Sequence, residues 1–366
     1  MKVLHISSPK TWRGGEQQLI YLVEELQTLG VDQVVMCPFN SAVHKYCLKN
    51  HRPHVTYFKG FSANPMVAFK VSHVCRKEQI DLIHVHDSHA HNFAVLSAVL
   101  TNLDLPIIVS RRVDFRVHGG GLSLFKYNHP NVKKVVCVSH AIKEIMTEFI
   151  EKPDKLAVVH SGIDLSKFDS IKTDARLRKE LGVSKDCKLI GNVAALAPHK
   201  DYFTFIETAK KLIDNGLNAH FLAIGEGPSR KEIEQRISSE GMDNYITLTG
   251  FRTDVLNLLV ELDVFLITSE TEGLGTSILD ALALGVPVVA TRAGGIVEVV
   301  ENGFNGLTCE VKNSDELSTA VLKLLKNDPL KESLILNGKE KIKQFDKRLT
   351  AEKTLAIYDE VLSELD

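Results

Sequence analysis

No stretch of this 366-residue chain approaches the 18 or so uninterrupted apolar residues of a membrane-spanning helix. The opening Met1-Lys2-Val3-Leu4-His5-Ile6-Ser7 turns polar too soon for a signal peptide, so none is expected. The six cysteines (37, 47, 75, 137, 187 and 309) have neither CxxC nor Cys/His ligand spacing. That argues against a disulfide framework or a metal centre and for small buried hydrophobes in a reducing cytoplasm. Short repeats and low-complexity tracts are also missing, which removes solenoids and disordered tails. No strand leads into Gly-x-Gly-x-x-Gly with an acid about 20 residues on, as a dinucleotide-dependent oxidoreductase would have.

What is present is enough chain for two domains. A net charge of −2 hides an asymmetry, with 17 Lys/Arg against 11 Asp/Glu in residues 1–150 and 27 against 35 in the remainder. Twelve of the fifteen histidines also lie in that first part. A basic first half suits an anionic acceptor or peripheral contact with an anionic membrane at its inner face. It equally suits an unevenly charged solvated surface, because no tight Lys/Arg cluster is present, and no nucleic-acid partner is expected.

Apolar runs alternate with helical periodicity along the whole chain. Strands are predicted over 3–7, 34–36, 55–58, 82–86, 107–110, 135–139 and 157–160, with helices over 16–29, 66–78, 91–100 and 141–149. After a polar joint over 164–188 the pattern restarts. Strands are predicted over 189–193, 220–224, 246–249, 264–267 and 288–290, and helices over 202–215, 229–240, 276–284 and 314–326. Strands separated by helices imply parallel sheets, so the expected class is α/β with two Rossmann-like, doubly wound domains and a ligand in the cleft at their strand ends. The boundaries are placed at 1–167 and 168–349, with a final helix over 350–366.

Residues 268–300 carry most of the chemistry. A buried strand over 264–267 ends in an acidic, glycine-containing loop, and a helix follows from Thr276. This aims free helix N–H groups at an anion beyond the strand's carboxyl end. Glu272 stands before the turn and Asp280 on the first turns of the helix. Two carboxylates around an anion site suit a ligand with phosphates in the middle and hydroxyls at both ends, such as a nucleotide-sugar. An ordinary capped strand–turn–helix is the plainer alternative.

The segment resembles the donor-site signature of glycosyltransferase family four, the retaining group 1 enzymes of GT-B fold. Glu272 matches the first acid of their Glu-x7-Glu, and Asp280 stands at the second, one methylene shorter. Pro287-Val288-Val289, Gly294-Gly295, Glu298, Asn302-Gly303 and Asn305-Gly306-Leu307 match as well. Resemblance implies that Gly273, Leu274, Gly275, Thr276, Ser277 and Asp280 bind the donor and that Lys200 faces its diphosphate. Ala195 occupies the place of the family's arginine. Gly225, in Gly225-Glu226-Gly227-Pro228, and Phe251, in Gly250-Phe251-Arg252, match segments near the nucleotide. Resemblance also places the C-terminal helix back on the first domain.

In the first half, Gly14-Gly15 is expected as a loop just before a helix, beside donor phosphates and acceptor by resemblance, or as a plain βα turn. Arg13 on that loop is an acceptor candidate. His84 and His86 of Asp-x-x-His-x-His share a face of a strand that ends at the expected cleft; without a third ligand of suitable spacing a metal site is not expected, and they read either as core or supporting residues or, for His86, as an acceptor contact. Arg112 stands where many relatives have a histidine near the reacting carbon. Arg111 and Arg112 would bind phosphate or an anionic acceptor, or pair with Asp114.

The expected activity is retaining transfer of a hexosyl or N-acetylhexosaminyl group from a nucleotide-diphosphate sugar, with uridine the commonest base of the family, to a carbohydrate or glycolipid hydroxyl. Cell-surface polysaccharide or lipopolysaccharide assembly is the implied pathway. Lys200, Glu272 and Arg112 are the catalytic candidates, with no cofactor and no metal. A sugar-nucleotide epimerase and a non-catalytic nucleotide-sugar binder are the rival readings.

Overall fold

β-Branched and aliphatic runs buried on both faces build two parallel sheets in a computed structural model of the chain, which describes residues 1–61, 63–117, 120–173 and 175–364. The chain divides into two compact units, Met1–Gly162 with Lys347–Asp366, and Ile163–Asp346. The first contains β1 (Lys2–Ile6), β2 (Asp32–Pro38), β3 (His54–Tyr57), β4 (Leu82–Val85), β5 (Ile107–Arg111), β6 (Val132–Cys137) and β7 (Leu156–Val158). Their order is β3-β2-β1-β4-β5-β6-β7, all parallel. The order reverses between β1 and β4, which opens a crevice at their carboxyl ends where ligands of such sheets bind.

The second unit repeats the plan with β8 (Lys188–Val193), β9 (Ala219–Ile224), β10 (Ile246–Gly250), β11 (Val264–Ile267), β12 (Val288–Thr291) and β13 (Leu307–Cys309). The order is β10-β9-β8-β11-β12-β13, again parallel, so the reversal falls between β8 and β11. Its core joins Phe205, Phe221, Val264 and Leu266 to Leu317, Val321 and Leu324 of the helix Ser314–Lys326.

The units divide at 162/163 and 346/347, against the expected 167/168 and 349/350. Ile163 N–H donates to Phe345 carbonyl at 2.8 Å, and Ile163 bridges Asp346, which ties 163 onward to the second unit. The helix Lys347–Ser363 belongs to the first unit; residues 365 and 366 of the expected helix lie outside the described residues. Tyr358, Ile357 and Val361 pack against Val3, Leu82, Ile108 and Val136, and Lys347 pairs with Glu25 at 2.9 Å. Among the described residues no helix is long and apolar enough to cross a membrane.

Candidate functional site

In the second unit, the loops after β8 and β11 are stitched together at the reversal point. Thr268 hydroxyl donates to the Asp201 carbonyl at 2.9 Å, and Glu270 N–H donates to the His199 carbonyl at 2.9 Å. Asp201 caps the helix Tyr202–Asp214 through Thr204 N–H at 3.1 Å. Lys200, just before that cap, forms an ion pair with Glu272, and both side chains are largely buried. The Ser269 hydroxyl also reaches Glu272 Oε2, at 3.4 Å.

The Glu272-Gly273 backbone is fixed from behind. Gly295 N–H donates to the Glu272 carbonyl at 2.8 Å, and a Cβ on Gly294 would lie 2.4 Å from that same oxygen. Only glycine permits this approach, which accounts for the pair at 294–295. Asn305 accepts from Glu301 N–H at 2.7 Å and donates to the Val299 carbonyl at 2.9 Å. That part of the signature builds the turn and does not face a ligand.

The helix Thr276–Ala283 begins at Gly275, with Leu274 buried just before it. Asp280 lies on this helix, and no described side chain or backbone N–H hydrogen-bonds its carboxylate. Burial pushes its pKa up to about 7, against the pull of Lys167. A half-buried carboxyl given no donor by the protein is set to receive one from a ligand. Gly225 sits at φ 149°, where a Cβ would be 2.1 Å from the Ala194 carbonyl, so its role here is to admit the neighbouring loop. Ala195 on that loop is exposed, and Phe251, after β10, is largely exposed as well.

In the first unit the crevice holds a cavity of about 910 Å3, lined by Lys10, Arg13, Gly15, Lys59, His86 and Arg112 among others. Gly14 and Gly15 are the first two residues of the helix Gly14–Thr28, not a loop preceding it. Arg13 is its cap position, and Arg13 N–H donates to Glu16 Oε2 at 2.9 Å. That local bond lets the helix start two residues earlier than apolar periodicity predicts.

The two strand histidines gain a third partner. His5 of β1 stands in register with His84 of β4, and His5, His84 and His86 bring ring nitrogens within 4.8 Å of one another. Sequence spacing offers no third ligand, but parallel pairing of β1 with β4 brings His5, 79 residues away from His84, beside the two. All six ring nitrogens nevertheless have protein partners. His84 meets Tyr358 Oη at 2.5 Å and Ser110 Oγ at 2.8 Å. His5 meets Gln33 Oε1 at 3.0 Å and His86 Nε2 at 3.0 Å. His86 Nδ1 meets the Arg112 guanidinium at 3.2 Å.

The direction of this relay follows from its end. Gln33 Nε2 donates to the Val23 carbonyl at 3.0 Å, so Oε1 accepts from His5 Nε2–H. His5 Nδ1 then accepts from His86 Nε2–H, and His86 Nδ1 accepts from Arg112. Burial holds all three histidines neutral: His5 is lowered to about 4, and His84 and His86 lie well below the ordinary value. The buried relay orients Arg112, which also donates to the His86 carbonyl at 3.1 Å. Arg111 turns away, to Tyr127 Oη at 3.3 Å and the Phe115 carbonyl, and neither arginine pairs with Asp114. Sequence reasoning missed His5, Gln33, Lys10 and Lys59; the one available signal was a histidine inside the apolar run of β1.

Two family models match the chain, Glycosyltransferase Family 4 over residues 12–167 and Glycosyl transferases group 1 over 173–341. The chain belongs to these family-four glycosyltransferases. Its pair of parallel Rossmann-like sheets is the GT-B fold, and it is a glycosyltransferase enzyme. Among curated relatives, the N-acetyl-alpha-D-glucosaminyl L-malate synthase of Bacillus anthracis is 26% identical, over 85% of this chain and 84% of that protein. The N,N'-diacetylbacillosaminyl-diphospho-undecaprenol alpha-1,3-N-acetylgalactosaminyltransferase of Campylobacter jejuni is 27% identical, over 83% of this chain and 85% of its own length. Anabaena HepE, solved with UDP-glucose, superposes with a TM-score of 0.86 at 21% identity, covering 98% of this chain and all of that one. That last likeness concerns the fold.

Proposed function

We propose that this glycosyltransferase moves a sugar from a UDP-sugar to an acceptor hydroxyl with retention of anomeric configuration, in polysaccharide or glycolipid assembly. The observation that carries the reading is the buried Lys200–Glu272 pair, set at the reversal of the second sheet beside the helix that bears Asp280. A UDP-sugar presents a partner to each group. Its diphosphate takes Lys200 and the N–H groups of Gly275, Thr276 and Ser277; its sugar hydroxyls take Glu272; its ribose takes Asp280. Gly273, Leu274 and Phe251 complete the donor side, and Gly225 shapes it by admitting the neighbouring loop. HepE, which has been solved with UDP-glucose, supports the choice of base and sugar class.

In the reaction the bond from the anomeric carbon to the diphosphate oxygen breaks, and the acceptor oxygen bonds that carbon on the same face. The leaving phosphate oxygen takes the acceptor proton, so no enzyme base is required. Negative charge grows on the diphosphate as this happens, and Lys200 with the fixed N–H groups stabilises it without reorganisation. Loss of the bidentate arginine at Ala195 leaves Lys200 as the point charge there. The acceptor belongs to the first unit, with Arg13, His86 and Arg112, and Arg111 is withdrawn from it because its guanidinium is engaged elsewhere.

The test is turnover of UDP-glucose, UDP-galactose and their N-acetylamino counterparts, read by UDP release and by NMR of the product's anomeric carbon. An inverted product removes the retaining assignment. UDP binding without turnover on any acceptor favours a non-catalytic binder, for which Ala195 and Asp280 are the supporting departures.

A further inference from the structure

The first-unit cavity carries an imbalance that sugar hydroxyls alone do not answer. Four cationic side chains line it, Lys10, Arg13, Lys59 and Arg112, against one carboxylate, Glu16. The charged ends of Lys10, Arg13 and Lys59 have no ion-pair or hydrogen-bond partner among the described residues. Arg112 uses two of its five N–H groups on His86 and has three left. Burial lowers its pKa to about 10, which marks a charge held away from water, with Glu16 and Asp87 pulling the other way. Like charges gathered around one concavity repel, and an anion relieves all four at once.

The rim differs in character. Lys59 and Gly60 are flanked by Phe58, 82% exposed, and Phe61, 64% exposed, and Phe58 lies 5.7 Å from the exposed ring of Phe39. Val113, also in the cavity lining, is exposed too. Adjacent exposed aromatics bordering a basic pocket form an amphipathic surface, and the ligand that complements it has a polyanionic head and an apolar chain.

We propose that this cavity seats the diphosphoryl head of a lipid-linked acceptor, gripped by Arg112, Arg13, Lys10 and Lys59, with the lipid chain lying on Phe58, Phe61 and Phe39. A single carboxylate leaves most of the charge unanswered, whereas a diphosphate offers oxygens to all four cations. The Gln33–His5–His86 relay acts as a positioning device, holding the Arg112 fork toward the head group. This rests on the sugar-transfer reading above, and names the class of its acceptor.

Trp12, the chain's one tryptophan, packs against Tyr46 and lies between the lining residues Thr11 and Arg13, so its fluorescence senses a rearrangement of that loop. The full-length protein is titrated with farnesyl diphosphate below its micelle concentration, inorganic pyrophosphate, farnesol and succinate, with calorimetry on the same samples. Farnesyl diphosphate is expected to bind at least tenfold tighter than pyrophosphate or farnesol, with saturable change in Trp12 emission. Arg112→Gln and Lys59→Gln, the latter at a half-buried position, should each weaken both phosphates about tenfold. Phe58→Ser and Phe61→Ser should remove only the advantage of the farnesyl compound.

Pyrophosphate binding as tightly as farnesyl diphosphate would assign the cavity to a free anion and overturn the proposal, as would equal affinity for farnesol or succinate. Absence of binding by both readouts, or loss of the response under saturating UDP, overturns it as well. UDP titrated alone tests the donor reading separately; failure there, with farnesyl diphosphate still bound, falls on the transfer reading and not on this cavity.

Discussion

Lys200 and Glu272 neutralise each other across two loops of the second sheet, from positions 72 residues apart in sequence. The pair is largely buried, so removing one partner strands a charge, and a bound donor must supply new partners to both. This makes each residue costly to lose for reasons beyond catalysis. Glu272→Ala and Lys200→Ala are each expected to cut transfer by about 10²-fold or more, since a transition-state contact of this kind contributes roughly 3 kcal/mol. The double variant should lose less than the product of the two single losses, because the groups act as a unit. Steady-state rates on folded proteins decide it, and wild-type turnover in either single variant would remove that residue from the site.

Ala195 gives a gain-of-function test. Its side chain is exposed on the loop that leads to Lys200, so an arginine there has room to extend. Ala195→Arg is expected to tighten UDP by about 1–2 kcal/mol through a charge-assisted contact with the diphosphate. Calorimetry measures the change. Unaltered affinity in a folded variant would mean that another cation already serves the phosphates.

The histidine relay predicts how stability varies with pH. Burial lowers His5 to about 4, His91 to about 3, and His84 and His86 well below 6.5. Between pH 6.5 and 4 the unfolded chain binds protons at these positions that the folded chain refuses. Stability is therefore full above about pH 6.5 and falls as pH drops, by roughly 1.4 kcal/mol per pH unit for each such histidine. Glu16, raised by burial, and Asp280, raised to about 7, work in the opposite sense, but are fewer. Urea midpoints at pH 7, 6 and 5 should decline, and His5→Gln should flatten the decline. A flat profile in the wild type would contradict neutral buried histidines.

The legible parts of this chain were those where local pattern and tertiary role coincide. Strand 264–267 and helix 314–326 lie where apolar period and flanking polar residues place them, because each buries one continuous apolar set. Strand Leu307–Cys309 escaped notice because three residues carry no period, and its pairing with β12 is made by distant chain. Helix Asp328–Lys341 buries only Leu334 and Gly338, so it shows no stripe to read. The polar joint conceals a helix at Arg176–Leu181, held through Glu261, which accepts Leu177 N–H at 3.0 Å from 84 residues away. Most of the proposed donor site was legible as a candidate because residues 272–280 are contiguous in the chain. The relay was not, since Gln33, His5, His86 and Arg112 come from four strands or strand ends and meet only when the sheet forms.

Asp280 joins stability to ligand recognition in a way that two measurements can separate. The folded chain keeps its proton up to about pH 7, whereas the unfolded chain loses it near 3.8, so this group's stabilisation is full below 3.8 and is lost as pH rises to 7. Asp280→Asn should therefore stabilise the protein by about 1–3 kcal/mol at pH 8 and change little at pH 4. A ribose that donates two hydroxyls needs the carboxylate ionised, so UDP binding near pH 7 should release a proton, visible as a buffer-dependent calorimetric enthalpy. Asp280→Ala should abolish that release. Removing the 2′-hydroxyl should weaken binding to the wild type and matter little to Asp280→Ala, which a cycle with UDP and 2′-deoxy-UDP resolves. Asp is one methylene shorter than the family's glutamate, and a bridging water is the simplest way to cover the distance. Strictly additive losses would detach Asp280 from the ribose, and its burial would then be a cost without a ligand to answer it.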